Sequence, residues 1–311
     1  MMHRDLSIIE ILKFAAENHS VSEVISLRAE GNIHRYTYSD CLVRVCKLAN
    51  ALLDLGVKKG DRIATLAWNS YRHLELYYAV SGVGAVCHTI NPRLSADQML
   101  YIIEHAGDTV LFVDTSFVPI IEQLAPKLPK NLVIIVMASM ASMSNLSDQY
   151  LCYEKLLSEC SEKIVWPEFP ENTAAGLCYT SGTTGNPKGA LFSHRSTVLH
   201  ALSISLNMGL YLGDGKKVLP VVPLFHVNAW GLPYAAPLTG TSLVFPGPNL
   251  DGASLFKLMD HENVNSAWGV PTVWLGLLGE IRKQVKTPSQ FQNVVIGGSA
   301  APKSMIEEFE S

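Results

Sequence analysis

Apolar residues recur at the helical period in several stretches of the first third of the chain, and short apolar runs separate these stretches. One helical stretch lies between Ser39, a candidate N-cap, and Gly56, which stands where a C-cap is expected. Ser95 and Gln98 have the spacing of a capping box before another, and residues 71–80 are also helical in pattern. The apolar runs predict strands at residues 62–67, 85–90, 109–113 and 132–138. This alternation predicts a mostly parallel, doubly wound α/β sheet.

The second half of the chain continues the alternation of strands and helices. The predicted strands lie at residues 242–245, 264–268 and 294–296. The predicted helices begin near Ser196, near Ala253 and at Pro271. Residues 218–226 hold two prolines, each of which removes a donor from a strand ladder. We therefore predict a short strand that ends at Val222 and an irregular approach to His226.

Composition and charge narrow the class of protein. Of 311 residues, 48% are hydrophobic and 17% are charged, which supplies a large core and argues against disorder. The formal net charge of −4, without a run rich in Lys or Arg, offers no general attraction to nucleic acid. The sequence has no secretory signal pattern and no unbroken apolar window of about 18 residues. The six cysteines fit buried, reduced thiols, so we expect a soluble cytoplasmic protein without a transmembrane segment.

The loop at residues 179–189, Y-T-S-G-T-T-G-N-P-K-G, is the first candidate for ligand binding. Its glycines let the main chain approach an anion, its hydroxyls add donors, and its lysine supplies a charge suited to phosphate. It is not a Walker A loop, because Lys188 lies three residues after Gly185 and is followed by glycine. A glycine-rich hairpin without a ligand is the plainer alternative. The apolar runs on both sides and the Pro-Lys-Gly exit favour a polyphosphate site.

Two later stretches carry further candidates. His226 and Trp230 lie four residues apart, so in a helical stretch they would share one face. An imidazole there would offset the charge of a bound anion, and the alternative is a histidine and a tryptophan packed in the core. In G-G-S-A-A-P, residues 297–302, small residues let a flat ring approach the backbone at the end of a strand. A plain turn between strand and helix is the alternative for that stretch.

Together these stretches resemble the adenylate-forming superfamily: acyl- and aryl-CoA synthetases, peptide-synthetase adenylation domains and luciferases. T-S-G-T-T-G-N-P-K-G (180–189) is similar to the phosphate-binding loop of that family. P-L-F-H-V-N-A-W-G (223–231) resembles its segment with an acyl-site histidine, and residues 297–302 resemble its adenine- and acyl-pocket strand end. With L-E-L-Y-Y-A-V (74–80) and I-N-P-R-L (90–94), the chain looks most like the medium- and long-chain fatty acyl-CoA synthetases.

The resemblance implies a ligase that works in two steps. A carboxylate attacks the α-phosphate of ATP to give an acyl-adenylate and pyrophosphate, and the thiol of coenzyme A then displaces AMP. Charge neutralisation and positioning carry most of such catalysis. The implied small molecules are therefore a fatty acid, ATP with Mg²⁺, and coenzyme A.

The resemblance also implies roles for individual residues. The implied catalytic residues are His226, Thr184 and Lys188, and Thr180 would lend its hydroxyl to Mg²⁺. The implied contacts to ATP are Thr180, Ser181, Gly182, Thr183, Thr184, Gly185, Lys188, Gly298, Ser299, Ala300, Ala301 and Pro302. The implied contacts to the acid are His226, Val227, Trp230 and Gly231, with Trp230 as a wall or gate of the acyl tunnel.

The implied fold is the large N-terminal domain of the adenylate-forming fold, an α/β domain with mostly parallel sheets flanked by helices. We expect an incomplete domain over residues 1–311, with one α/β subdomain over about 1–170 and a second, with the phosphate loop, over about 171–311. The family's Mg²⁺-binding glutamate, ribose-binding aspartate and mobile C-terminal domain with its catalytic lysine have no counterpart in the sequence. The chain is therefore expected to be truncated before its last subdomain.

Several points stay open at the level of sequence. An aryl- or short-chain-acid CoA ligase of the same superfamily is one alternative, and a non-catalytic nucleotide- or acyl-binding relative is another. The acyl chain length, a peripheral contact with a membrane and the roles of His194 and Arg195 are not decided. Acyl-CoA synthetases of this kind are often dimers, so a homodimer is equally open.

We expect the isolated 311-residue chain to bind nucleotide weakly and to leave thioester formation incomplete, because the implied second half of the site is missing. Measuring acyl-CoA formation from fatty acid, ATP and coenzyme A checks this expectation. Robust turnover by the isolated chain would refute the inference of a truncated site.

Overall fold

The computed structural model describes residues 4–144, 146–180, 186–206 and 210–310. Within these residues the strands form a seven-stranded and a six-stranded sheet. The strands are β1 (Glu23–Leu27), β2 (Ile33–Thr37), β3 (Arg62–Leu66), β4 (Val86–Thr89), β5 (Asp108–Val113), β6 (Val133–Val136), β7 (Leu151–Cys152), β8 (Ala174–Thr180), β9 (Lys188–Ser193), β10 (Lys217–Pro220), β11 (Ser242–Phe245), β12 (Ser266–Gly269) and β13 (Asn293–Ile296). The α-helices are α1 (Ile8–Asn18), α2 (Tyr38–Asp54), α3 (Tyr71–Gly82), α4 (Ala96–Ala106), α5 (Val118–Leu124), α6 (Tyr153–Ser158), α7 (His194–Ser205), α8 (Leu232–Thr239), α9 (Gly252–Glu262), α10 (Pro271–Gln284) and α11 (Lys303–Glu310).

Both sheets are mostly parallel. The seven-stranded sheet has the order β7-β6-β5-β3-β4-β8-β9, and the six-stranded sheet has the order β13-β12-β10-β11-β1-β2. Among the described strands, the antiparallel pairs are β8 with β9 and β1 with β2. The predicted α/β architecture of mostly parallel sheets flanked by helices is therefore confirmed. No helix in the described part of the chain has the length and apolar character needed to cross a bilayer.

The two sheets draw on interleaved parts of the chain. Strands β1 and β2, from the first forty residues, join the six-stranded sheet through the parallel pairing of β1 with β11. Strands β8 and β9, which follow residue 170, extend the seven-stranded sheet instead. The predicted division of the chain at about residue 170 therefore does not coincide with the division between the sheets. Long-range strand pairing decides sheet membership, and local pattern does not encode it.

Helix α3 is the central element between the sheets. Every residue from Tyr71 to Gly82 is buried, and the helix contacts β1 of one sheet and β4 and β8 of the other. A helix covered on all sides has no solvent face on which to place polar groups, so each needs a partner inside. Glu75, for example, accepts hydrogen bonds from Tyr36 Oη, Arg44 Nε and Tyr153 Oη at 3.0, 2.7 and 2.6 Å.

Several helices begin at side-chain caps, and two helix starts differ from prediction. The capping box of Ser95 and Gln98 before α4 is confirmed. Helix α2 is capped by Thr37 with Asp40 rather than by Ser39, because Ser39 Oγ donates instead to the Ala16 carbonyl of α1. Helix α7 begins at His194, since Ser193 and Ser196 form a capping box at its start. Pro271 is the first residue of α10, as predicted.

Strand β10 ends at Pro220, two residues before the predicted end at Val222. The amides of Val221 and Val222 both donate to the carbonyl oxygen of Trp268 at 2.8 Å, so the ladder does not continue in register. The chain then approaches His226 without regular structure, which confirms the predicted irregular segment.

Replacing Glu75 by Gln should lower the free energy of unfolding by about 3 kcal/mol, because Arg44 and two tyrosine hydroxyls then lose a fully buried carboxylate. The matched control is Glu162→Gln, since Glu162 is 62% exposed and pairs with Lys47 at 3.1 Å on the surface. The control should change the free energy by less than about 0.5 kcal/mol. Urea denaturation checks both, and equal effects would contradict the central role of Glu75.

Candidate functional site

Residues 227–231 form a left-handed turn directly after His226. Val227, Asn228, Ala229 and Trp230 have φ angles of 48°, 50°, 46° and 55°, and Gly231 follows at 84°. Each non-glycine residue in this region costs roughly 1–2 kcal/mol, and asparagine tolerates it best. Four such residues in succession persist only where the surrounding structure holds them. Backbone strain of this kind is concentrated at functional sites, so the turn is a candidate site in its own right.

The left-handed turn overturns the expectation that His226 and Trp230 share one helical face. His226 itself is extended, with φ −129° and ψ 116°, and the residues after it turn with the opposite hand from an α-helix. The four-residue spacing therefore does not place the two side chains above one another. His226 is exposed, whereas Trp230 is half-buried against the main core.

Trp230 connects the turn to the end of strand β13. A Cβ atom added to Gly297 would lie 2.7 Å from Cη2 of Trp230, so the indole rests directly on this glycine. The packing of the tryptophan on the backbone is therefore the observed reason for a small residue at position 297. Beyond Gly297, the predicted nucleotide contacts Gly298, Ser299, Ala300 and Pro302 are exposed and Ala301 is half-buried, which leaves the strand end open.

The turn also touches β8, the strand that leads into the predicted phosphate loop. Cys178 of β8 lies 3.5 Å from Oδ1 of Asn228 and 3.2 Å from Oγ1 of Thr89. Burial raises the pKa of the Cys178 thiol, so the group is a neutral packing partner. The turn thus contacts β8 two residues before Thr180, where the predicted phosphate loop begins.

The two strands on either side of the predicted phosphate loop, β8 and β9, pair in an antiparallel manner. Thr180 and Lys188 are opposite one another in the antiparallel pairing of β8 with β9, and Thr180 Oγ1 donates to the Lys188 carbonyl at 3.4 Å. Both residues are exposed. The other predicted loop contacts lie outside the described residues: Ser181, Gly182, Thr183, Thr184 and Gly185.

A magnesium ion at Thr180 would depend largely on its nucleotide. Among the described residues, no three His, Cys, Asp or Glu side chains are grouped as a metal site. Mg²⁺ in nucleotide sites is usually held by one or two protein oxygens together with phosphates and water. The exposed hydroxyl of Thr180 fits that limited part, so the assignment of Thr180 stays a prediction.

A cavity of about 280 Å³ opens beside the turn, and most of its exposed wall is apolar. It lies between the turn, β9, α7 and α8. Its lining residues are Phe192, Ser196, Thr197, His200, Val227, Asn228, Gly231 and Tyr234. Two of the four predicted acid contacts, Val227 and Gly231, therefore do line a cavity. At Gly231 an added Cβ would meet His200 Nδ1 at 2.7 Å, which explains a glycine there beyond its positive φ.

Several residues of this region were not singled out by their sequence pattern. Phe192, His200 and Tyr234 line the cavity, yet each lies in a segment that resembles an ordinary strand or helix. Asn228 was not predicted as a site residue, because the spacing of His226 and Trp230 on either side of it indicated a helix. An asparagine among residues that need left-handed backbone was the available signal.

The structure places His194 in the core, away from the turn. Its Nδ1 accepts a hydrogen bond from the Ile8 amide at 3.2 Å, and burial lowers the pKa of the imidazole to about 4. Arg195 forms an exposed ion pair with Glu171, whose second oxygen accepts from the Leu6 amide at 3.1 Å. Both residues thus fasten the start of α1, which is a structural role.

Replacing Val227 by Gly should raise the free energy of unfolding by about 1 kcal/mol, because glycine adopts a positive φ without strain. Val43→Gly in α2 is the matched control, since Val43 is similarly exposed but right-handed helical. The control should lose about 1 kcal/mol. Chemical denaturation of both variants gives the sign, and a destabilised Val227→Gly variant would contradict a strained turn.

Comparison with solved structures places the fold. An anthranilate CoA ligase in complex with anthranoyl-AMP superposes with a TM-score of 0.87 at 21% identity, over 99% of this chain and 58% of the other. A Mycobacterium tuberculosis fatty acyl CoA synthetase superposes with a TM-score of 0.81 at 22% identity, over 98% of this chain and 57% of the other. At these identities the likeness is one of fold.

Comparison with curated proteins shows closer relatives. The chain is 48% identical to a medium-chain-fatty-acid–CoA ligase of Ectopseudomonas oleovorans, over 99% of this chain and 57% of the relative. It is 45% identical to a long-chain-fatty-acid–CoA ligase of Thermus thermophilus, over 100% of this chain and 56% of the relative. It is 43% identical to a 3-methylmercaptopropionyl-CoA ligase of Ruegeria lacuscaerulensis, over 99% and 58%. The chain therefore spans somewhat over half the length of these relatives.

A family profile covers almost the whole chain as well. Residues 13–311 match the family described as AMP-binding enzyme. This match, together with relatives above 40% identity over nearly every residue, agrees with the resemblance of the three sequence stretches. The protein belongs to the AMP-binding enzyme family.

Proposed function

We propose that this chain is the ATP- and acid-binding part of a fatty acyl-CoA ligase. In the first step a carboxylate oxygen of the acid bonds to the α-phosphorus of ATP, the bond from that phosphorus to the bridging oxygen breaks, and pyrophosphate leaves. In the second step the sulfur of coenzyme A bonds to the acyl carbon, AMP leaves, and the thiol proton is released. Each step moves negative charge, so the protein's main contribution is placement and neutralisation.

The observation that supports the proposal most strongly is the convergence of three separate segments. The turn after His226 touches β8 through Cys178 and touches the end of β13 through Gly297. Strand β8 leads into the phosphate loop, and all three segments follow the carboxyl ends of strands, where α/β sheets bind ligands. A nucleotide between the loop and the end of β13 would therefore have its α-phosphate near His226.

The proposed roles follow from this placement. His226 donates to the carboxylate and the α-phosphate, and Lys188 with the loop residues Ser181–Gly185 holds the outer phosphates. Residues 298–302 receive the adenine, and the hydroxyl of Thr180 contributes to Mg²⁺, which offsets phosphate charge when bound. Trp230 forms a wall between the acid and the strand end.

The proposed acid is a medium- or long-chain fatty acid. The cavity beside Val227 and Gly231 has a mainly apolar wall, and burying each methylene in it would contribute about 0.8 kcal/mol. The similarity to medium- and long-chain ligases favours the same class. A short acid is the second candidate, because a 3-methylmercaptopropionyl-CoA ligase is nearly as similar.

Calorimetric titration with non-hydrolysable acyl sulfamoyl-adenosines of four, eight, twelve and sixteen carbons tests the proposal. We expect affinity to rise with chain length until the cavity is filled. His226→Ala should weaken binding by about 2 kcal/mol, because a charged ligand loses a donor. His261→Ala is the matched control, since His261 is an exposed histidine of α9.

Distinct results separate the candidates. Tightest binding of the four-carbon analogue would favour the short acid. Absence of binding for every analogue, or equal effects of the His226 and His261 substitutions, would contradict the proposed site.

A further inference from the structure

The segment that connects β10 to the left-handed turn, residues 221–225, is largely buried but belongs to no strand. Pro220 and Pro223 have no amide hydrogen, and the irregular path leaves several carbonyl groups without a strand partner. Asn69, in the loop between β3 and α3, supplies partners for this segment. Its Nδ2 donates to the carbonyls of Pro220 and Val222 at 2.8 and 3.0 Å, and its Oδ1 accepts from the Leu224 amide at 2.7 Å.

Two further side chains complete this arrangement. Tyr77 Oη of α3 donates to the Leu224 carbonyl at 2.5 Å, and Thr89 Oγ1 of β4 donates to the Phe225 carbonyl at 3.3 Å. Asn69, Tyr77 and Thr89 are all nearly inaccessible, at 4%, 1% and 2% exposure. The three side chains, here called the cross-sheet clamp, thus bind four carbonyls and one amide in the six residues before His226.

The cross-sheet clamp also reaches the turn itself. Tyr77 Oη lies 3.3 Å from Oδ1 of Asn228, which is the second residue of the left-handed stretch. A strained backbone conformation persists only where neighbouring groups hold it. Tyr77 contacts the chain both before His226, at Leu224, and after it, at Asn228. The path of the chain into and out of His226 is therefore set by Asn69 and by side chains of α3 and β4.

We propose that Asn69 and Tyr77 are positioning residues for His226 and Trp230. Both side chains are buried and bond to the backbone before His226, and they act by holding the backbone from which the side chains of His226 and Trp230 project. The catalytic meaning of this placement rests on the proposed function, whereas the placement itself does not. Without the cross-sheet clamp, the backbone groups of residues 220–225 would form other hydrogen bonds. The turn would then relax toward an unstrained conformation.

Asn265 provides a matched control for Asn69. It is also a buried asparagine that bridges backbone segments, since it accepts from the Lys217 amide at 2.8 Å and donates to the Gln290 carbonyl at 3.3 Å. It does so at the opposite end of β10, before the strand begins. Asn69→Asp and Asn265→Asp each remove an amide donor without changing side-chain size, so they separate positioning from general stability.

The test uses the 311-residue chain labelled with ¹⁵N in histidine and tryptophan. Ring signals of His226 and the indole signal of Trp230 are assigned by their loss in His226→Gln and Trp230→Phe. We expect Asn69→Asp to shift or broaden both signals and Asn265→Asp to leave both in place, with stability of each variant measured in urea. Affinity for the twelve-carbon acyl sulfamoyl-adenosine should fall about tenfold in Asn69→Asp and less than twofold in the control.

A second pair covers the case in which Asn69→Asp does not fold. Tyr77→Phe removes only the hydroxyl and should shift the same two signals. Its control is Tyr38→Phe, because Tyr38 is likewise buried and donates to a backbone carbonyl, that of Thr241. Unmoved His226 and Trp230 signals in the clamp variants, or equal shifts in clamp and control variants, would overturn the proposal. Failure of the unsubstituted chain to bind the analogue would count against the proposed function alone, since the ring signals still decide the positioning.

Discussion

The structure depends on one constraint: a largely buried backbone segment, which leaves strand β10 at Pro220, has to satisfy its polar groups without continuing the strand. Residues 220–225 meet that requirement through side chains from outside their own sheet, above all Asn69, which uses three of the four hydrogen bonds open to its amide. Since an unpaired buried carbonyl or amide costs about 1–3 kcal/mol, the partners define the path closely. That path ends at His226 and determines where the left-handed turn begins.

Helix α3 explains how two sheets act on one site. It is buried along its whole length and contacts strands of both sheets, so its polar side chains are forced to bond inward. Glu75 and Arg72 face a charged network with Arg44 and Glu154, whereas Tyr77 faces the site. One helix therefore links the stability of the core to the geometry of the turn. A displacement of α3 would reach the site through Tyr77.

Much of the architecture was accessible from local pattern, and the exceptions have physical causes. Strands β3, β4, β11 and β13 and the cap of α4 lie close to their predicted places, because apolar alternation and capping chemistry act over a few residues. The cap of α2 was wrong because Ser39 is engaged by α1, a contact distant in sequence. The shared helical face of His226 and Trp230 was wrong because four residues adopt a backbone hand that residue types such as Val and Trp disfavour.

The class of fold, the family resemblance and the three segments that matter were predictable from local pattern, because periodicity and short motifs depend on neighbouring residues. The sequence also indicated an irregular approach to His226, since proline acts locally. Only the tertiary structure decided which strands share a sheet, how Trp230 meets Gly297 and which side chains hold the turn. Those features join residues that are far apart in the chain: Asn69 binds Leu224 across 155 residues, and Tyr77 lies beside Asn228 across 151. Buried backbone groups need hydrogen-bond partners, but side chains so distant in sequence become available only after packing has brought the segments together.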